Sequence, residues 1–235
     1  MRALLLAAGL GMRLRPLTLT TPKCLIPIHG KPLLDYWFEH LFAAGIERAL
    51  VNTHWLADRV RAHVEQSRYR DRIDLVHEPE LLGTGGMILA NRQWLDDETF
   101  LVCHADNLTD FDVSAFQEAH RARAPGCLMT MLSFRTDAPE TCGILEIDRR
   151  GVVTGFHEKV ENPPGNLANA AVYLFEPDVV EMIAALNTRA ADLSTQILPD
   201  LVGRIQSFET RGYHRDIGTV EALRLAESEF SGHRS

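Results

Sequence analysis

The sequence has little that would commit it to a membrane, an oxidising compartment or nucleic acid. No apolar run approaches the ~18 residues that suggest a spanning helix, so no transmembrane helix and no membrane partner are expected. Its four cysteines, Cys24, Cys103, Cys127 and Cys142, are scattered and include no C-x-x-C pair. That argues against a structural zinc and against a disulfide framework, and predicts a reduced, cytoplasmic protein. Positive charge is in deficit: 24 Lys and Arg face 32 Asp and Glu, a net charge of −8. Such a balance disfavours coating of nucleic acid while leaving room for a local basic site. The opening "MRALLLAAG" lacks the layout of a secretory leader. There is no internal repeat and no low-complexity linker.

What is present is a chain of 235 residues, 46% of them hydrophobic, ample for one large domain or one domain with a small appendage. Short apolar runs at 2–8, 48–53, 73–77 and 100–104 read as strands buried on both faces. Between them, 31–44, 56–66 and 84–94 have helical spacing; in the first, Leu34, Trp37, Phe38 and Leu41 share a face and Gly45 ends the helix. This alternation predicts a Rossmann-like α/β fold with a mixed, mostly parallel central sheet flanked by helices. After a helix at 113–123, which Asp110 and Asp112 are expected to cap, the rhythm changes. Strands at 126–134, 143–148, 152–158 and 169–175 crowd together, with "DRRG" (148–151) as a hairpin turn. They form a small added β region suited to wall a pocket. Helices are expected again at 177–186, 194–203 and 219–230, and the tail "SGHRS" is expected to fray. The domain reading is a single unit over 1–235, with residues 1–124 mainly one half and 125–235 the other.

The first strand runs into Gly9-Leu10-Gly11-Met12-Arg13-Leu14-Arg15-Pro16. Leu14 stands where a dinucleotide fingerprint needs its third small residue, and the G-K-[ST] ending of a P-loop is missing. Glu39, mid-helix, is no substitute for the acidic residue that would bind a ribose. Yet glycines let backbone N–H groups approach phosphate oxygens, and arginine adds bidentate hydrogen bonds to them. A tight βα turn with solvated arginines is the plainer reading of this fragment alone. The next stretch, "LTTPKCLIPIHGKP", then holds Lys23 between Pro22 and Pro27.

Taken together, Gly9, Gly11, Arg13, Lys23 and Pro27 resemble the G-x-G-x-R…P-K signature of the sugar-1-phosphate nucleotidyltransferases, and the likeness continues over nearly the whole chain. The resemblance implies an enzyme in which Ala8, Gly9, Gly11, Arg13 and Lys23 bind an NTP. In "HEPELLGTGG" it implies a base-recognition loop with Glu78, Gly83 and Thr84. A carboxylate, which only accepts hydrogen bonds, suits the N1–H and amino group of guanine, hence a lean towards GTP. In "HADN" it implies a metal aspartate, Asp106, although Ala105 replaces the usual glycine; the form looks closest to guanylyltransferases for mannose or manno-heptose 1-phosphate. Gly143, Glu158, Lys159 and Asn169 match the sugar-phosphate residues, with Val160 in place of a common proline. Asp216 in "DIGT" matches the second metal aspartate, with Thr219 as the cap of the last helix.

The implied cofactor is Mg²⁺, with Mn²⁺ an alternative: a hard cation between carboxylate and phosphate oxygens. The implied partners are an NTP and a sugar 1-phosphate, in nucleotide-sugar supply for cell-envelope polysaccharide. The resemblance assigns catalytic roles to Arg13, Lys23, Asp106, Lys159 and Asp216, and leaves Arg15, His104 and Asn107 without one. Uridylyl or thymidylyl transfer to another sugar, cytidylyl transfer to a substrate such as phosphocholine, and a non-catalytic nucleotide-sugar sensor are the rivals. No hexapeptide repeat follows residue 230, so a single activity is expected. The apolar run at 126–134 fits either a homodimer contact or a core strand.

Overall fold

The computed structural model describes residues 1–231; of the tail expected to fray, residues 232–235 lie outside the described residues. In chain order the strands and helices are β1 (Arg2–Leu6), β2 (Pro27–Ile28), β3 (Lys31–Pro32), α1 (Leu33–Ala43), β4 (Arg48–Thr53), α2 (Ala57–Gln66), β5 (Ile73–His77), α3 (Gly83–Ala90), α4 (Arg92–Leu95) and β6 (Phe100–His104). There follow β7 (Asn107–Thr109), α5 (Val113–Arg121), β8 (Met129–Arg135), β9 (Gly143–Ile147), β10 (Val153–Glu158), β11 (Leu167–Phe175), α6 (Asp178–Ala185), β12 (Ile205–Glu209), β13 (His214–Asp216) and α7 (Val220–Glu229). The fold is mixed α/β, as the alternation predicts. Among the described residues no helix is long and apolar enough to cross a membrane.

The chain divides into two compact units that are not contiguous in sequence. Unit 1 takes Met1–Leu81, Cys103–Phe111 and Gly212–Ser235; unit 2 takes Leu82–Val102 and Asp112–Arg211.

In unit 1, β4 lies between β1 and β5 in parallel register, with Leu4 opposite Leu50 and Val51 opposite Leu75. Ala49 to Val51 are almost wholly buried, which is why this run is apolar without alternation. Helix α1 buries Leu33, Leu34, Trp37, Phe38, Leu41 and Phe42, a stripe of helical period. It ends as expected: Gly45 takes φ 83°, and the N–H groups of Gly45 and Ile46 return to the carbonyls of Phe42 and Leu41. The helix starts two residues later than its periodicity suggests, because Lys31 and Pro32 pair with Ile28 and Pro27. Helix α7, capped by the Thr219 hydroxyl accepting the Ala222 N–H at 3.1 Å, lays Leu223, Ala226 and Phe230 into a cluster with Ile26, Ile28, Leu33, Leu108 and Ile217.

Unit 2 contains the added β region. Its sheet is mixed: β9 and β10 form an antiparallel hairpin around Asp148–Gly151, β11 runs antiparallel to β8 and β9, and β12 runs parallel to β8. The apolar run at 126–134 is core strand, with Met129, Met131 and Leu132 fully buried. Helix α5 is capped by Asp112, which accepts the Ala115 N–H at 2.9 Å. Asp110 is not a cap: it sits in unit 1 and accepts the Tyr213 N–H. The helix expected at 84–94 breaks at Asn91. The one expected at 194–203 is instead a wide π turn, Leu193–Ile197, and a 3-10 turn, Pro199–Leu201. Pro199 has no N–H to continue a helical ladder, and Asp192 caps the π turn through the Thr195 N–H.

Candidate functional site

In unit 1 the predicted residues gather where β1, β5 and β6 end, the edge of an open parallel sheet at which ligands bind. After β1 the backbone N–H groups of Gly9, Leu10, Gly11 and Met12 find no acceptor among the described residues. Consecutive free amides of this kind form a concavity for an anion. Gly11 has φ 61°, and a Cβ there would stand 2.8 Å from Thr18 Cγ2, so the position accepts no larger residue without strain. Ala8, just before this turn, is buried.

Lys23 opens a 3-10 turn behind Pro22, closed by the Leu25 N–H on the Pro22 carbonyl at 2.8 Å. The turn buries the lysine stem and the neighbouring Cys24, whose thiol burial pushes up to about 12. Lys23 Nζ donates to Asp106 Oδ2 at 2.6 Å and to Asp216 Oδ1 at 3.1 Å. The two aspartates, 110 residues apart, converge because β7 and β13 pair antiparallel with Asn107 opposite Asp216, and because the Ile217 N–H binds the Asp106 carbonyl at 2.9 Å. Trp37 secures the same strand, its indole N–H on the Asn107 carbonyl at 2.9 Å.

Burial works against the charge of Lys23, but the two carboxylates outweigh it and hold its pKa above the ordinary lysine value. Burial likewise opposes ionisation of Asp106, and there Lys23 first, then His104, overcome it and hold the carboxyl below the usual range. His214, on β13, is pushed down to about 3 by burial, against the pull of Asp106.

Arg13 is largely exposed, its Nη2 3.8 Å from Asp216 Oδ2. Gly218 of "DIGT" makes room for both: a Cβ there would lie 2.8 Å from Asp216 Oδ2 and 2.9 Å from Arg13 Nη2. Arg15 is exposed and makes no ion pair among the described residues.

Two carboxylates facing one cationic point are an all-oxygen donor pair, the chemistry that Mg²⁺ or Mn²⁺ prefers. Lys23 Nζ marks that point here. Among the described residues no cluster of three or more His, Cys, Asp or Glu is placed to hold a metal, so a cation at Asp106 and Asp216 would draw its other ligands from phosphate and water.

The residues read as one base-recognition loop have separate structural duties. Glu78, in unit 1, is buried; its Oε1 accepts Asn52 Nδ2 at 2.5 Å, and Asn52 Oδ1 accepts the Ala7 N–H at 2.5 Å. That relay ties together the ends of β1, β4 and β5. Gly83 and Thr84 belong to unit 2. Gly83 (φ 73°) and Gly85 let the 189–192 segment pack on the start of α3: a Cβ on Gly83 would lie 2.5 Å from the Ala191 carbonyl oxygen, which accepts the Gly85 N–H at 2.8 Å. Thr84 Oγ1 donates to Asp192 and accepts the Leu193 N–H at 2.7 Å.

In unit 2 the predicted acceptor residues fall close together. Glu158 and Gly143 are cross-strand partners in the β9–β10 hairpin. A Cβ on Gly143 would meet Glu158 Oε2 at 2.6 Å and the Phe156 ring at 2.8 Å, so the glycine lets the carboxylate lie across it. Lys159 follows with φ 50°, exposed, its Nζ 3.2 Å from Glu158 Oε1. Asn169 starts a bulge in β11: its Oδ1 accepts the Ala171 N–H and its Nδ2 donates to Tyr173 Oη, each at 2.8 Å. The buried Tyr173 hydroxyl has its pKa raised, first by burial and then by Glu158 and Asp192. Sequence reasoning missed Asn52, Tyr173 and Asp192. The "VNTH" at the end of β4 carried a signal for the first, an Asn inside an otherwise apolar strand.

The sequence profile of the nucleotidyl transferase family matches residues 2–231. Mannose-1-phosphate guanylyltransferase of Mycobacterium tuberculosis is 32% identical over 224 residues, covering 93% of this chain and 61% of that protein. Glucose-1-phosphate thymidylyltransferase of Streptomyces griseus is also 32% identical, over 226 residues, covering 94% and 63%. The chain thus spans about three fifths of the length of these curated relatives. Among solved structures, HddC from Yersinia pseudotuberculosis complexed with GMP-PN superposes with a TM-score of 0.81 at 25% identity, covering 97% of this chain and 99% of that one. A match that runs from the first strand to the last helix leaves no part of the described fold outside it: the chain belongs to the nucleotidyl transferase family.

Proposed function

We propose that the chain transfers a nucleotidyl group from an NTP to a sugar 1-phosphate, with GTP as donor and a manno-configured sugar as acceptor, giving an NDP-sugar and pyrophosphate. The observation that carries this reading is the run of unsatisfied N–H groups from Gly9 to Met12, next in sequence to Arg13 and in the same unit as Lys23. Neutral donors and two cations suit a polyphosphate.

An acceptor phosphate oxygen attacks the α-phosphorus in line. The bond from that phosphorus to the bridging oxygen breaks, and pyrophosphate leaves with the electron pair. The nucleophile is already an anion, so no side chain has to remove a proton. Catalysis is then positioning and charge stabilisation. The Gly9–Met12 amides hold the donor's phosphates, Arg13 stabilises the departing pyrophosphate, and Lys23 serves the α-phosphate. Lys159 holds the acceptor's phosphate, while Glu158 and Asn169 orient its hydroxyls. A Mg²⁺ held by Asp106 and Asp216 would neutralise charge on the phosphate oxygens when bound.

Support for GTP comes from the guanylyltransferase relatives and from the guanine-nucleotide complex of the Yersinia structure. A thymidylyl donor is the second reading, favoured by the equal identity to the Streptomyces enzyme. Pyrophosphate release measured with each NTP, crossed with mannose-, heptose-, glucose- and amino-sugar 1-phosphates, tests both. Turnover with GTP and a manno-sugar is expected. Strong activity with dTTP or UTP and none with GTP overturns the donor, and no release in any cell of the panel overturns the function.

A further inference from the structure

A loop built on Gly9 and Gly11 has little stiffness of its own, so something outside it must fix which way its peptide planes face. The Gly11 carbonyl accepts two hydrogen bonds, from the Leu14 N–H at 3.0 Å and from Thr18 Oγ1 at 2.7 Å. Thr18 is only 1% exposed. Its own carbonyl accepts the indole N–H of Trp55 at 2.9 Å. Trp55 follows the end of β4 by two residues and precedes Leu56, whose φ of 53° starts α2. Trp55 is 38% exposed. Burial therefore accounts poorly for its place, and the hydrogen bond to Thr18 is the specific contact it makes.

We infer that Trp55 and Thr18 form a latch that sets the opening loop in its anion-receiving form. In a trans peptide the carbonyl oxygen and the following N–H point in opposite directions. Holding the Gly11 oxygen on Thr18 thus turns the Met12 N–H the other way, and that N–H is among those left without an acceptor. Thr18 also packs directly on the glycine whose carbonyl it holds: its methyl lies 2.8 Å from where a Gly11 Cβ would stand. Trp55 fixes Thr18 from the strand edge, so the loop inherits its orientation from the sheet. Both are positioning residues: they act through Gly11 on the amides that bind phosphate. The ligand side of this inference rests on the NTP reading above; the geometric side does not.

Two variants test it. Thr18→Val keeps the shape and loses the hydroxyl; Trp55→Phe keeps a ring and loses the N–H. Each should raise the Kd and KM for the NTP about tenfold, the equivalent of one hydrogen bond left unmade, with the KM for the sugar phosphate unchanged. Thr18→Ser, which restores the hydroxyl, should bind the NTP like the wild type. The double variant should lose little more than the worse single one, because the two are links of one chain. Amide hydrogen exchange at Leu14 and Arg15, whose N–H groups close the turn on the Gly11 and Met12 carbonyls, should quicken in both variants when measured without nucleotide. NTP affinity equal to wild type in both, or losses that simply add, would overturn the latch. Should the wild type bind no NTP at all, it is the donor reading that fails. The exchange rates then judge the latch alone: quickening in both variants upholds it, and unchanged rates overturn it.

Discussion

Lys23→Met probes the arrangement on which unit 1 turns. The lysine side chain is 9% exposed, its partners Asp106 and Asp216 34% and 53%. Removing one member of a fully buried pair costs about 3–5 kcal/mol, whereas exposed pairs contribute about 0–1 kcal/mol. With the cation buried and both carboxylates partly in water, the expected loss is about 2 kcal/mol. In a chain of this length that lowers the melting temperature by about 4–8 °C. The pH dependence separates charge from packing. The carboxyl of Asp106 is held below its ordinary value. Its stabilising share is therefore present above about pH 3.9, the value in an unfolded chain, and is lost as the pH falls through the lowered value. The Lys23 pKa is held up, so its share is full below about pH 10.4 and is lost as the pH rises through the raised value. The gap between wild type and variant should stay flat from about pH 5 to 9 and narrow at both ends. Melting within about 1 °C of wild type at neutral pH, or a gap undiminished near pH 2, would refute the electrostatic account.

Asp106→Asn should lower pyrophosphate release about a hundred- to a thousandfold with circular dichroism unchanged, since a loss of charge stabilisation at phosphorus is of that order; a wild-type rate would contradict the cation-ligand role proposed for it. Gly83→Ala meets both a φ of 73° and the Ala191 carbonyl, so urea unfolding should show a loss of about 2 kcal/mol or more. Gly9→Ala, with no atom within 4 Å of its added Cβ, should unfold like the wild type; if Gly83→Ala does too, the packing account of "GTGG" is wrong. His120 is buried between Thr130 and Glu176, and burial holds its pKa below 6.5. The unfolded chain takes up its proton first, so stability should fall below about pH 6.5 by up to ~1.4 kcal/mol per pH unit. His120→Gln should flatten that slope in urea titrations at several pH values, and an equal slope in both proteins would rule out His120 as its source.

Patterned stretches were legible and cooperative ones were not. Strands β4, β5 and β6 fall at 48–53, 73–77 and 100–104 as their apolar runs predict, because a strand buried on both faces writes that fact into every residue. Strands β7 and β13 have three residues each, too few for a period to show, yet they bring Asp106 and Asp216 together. Strand β12, "IQSFE", alternates only weakly and has an identifiable place solely through its register with β8. The glycine turn after β1 and the placing of Lys23 behind Pro22 were readable from residue type and spacing. What lies behind them was not: Asn52 joining Ala7 to Glu78, and Asp192 joined to Thr84, are pairings across 26 to 108 residues that no local pattern encodes. The glycines of "GTGG" show the converse. Their motif is conspicuous, while the reason visible in the fold is the close approach of the 189–192 backbone.

The order in which the chain is made sets when unit 1 can be completed. Residues 1–81 are made before unit 2 and carry Gly9, Gly11 and Lys23, and Cys103–Phe111 brings Asp106. Asp216 and the helix that packs over Ile26, Ile28 and Leu33 come only after the whole of unit 2 has been synthesised. A nascent chain stalled before residue 212 therefore has a buried lysine with one of its two counter-charges and an uncovered apolar cluster. Such a chain lacks both the second carboxylate and the helix that covers this cluster, so synthesis from residue 212 onwards is the step that lets unit 1 complete its lysine–aspartate cluster and close its core.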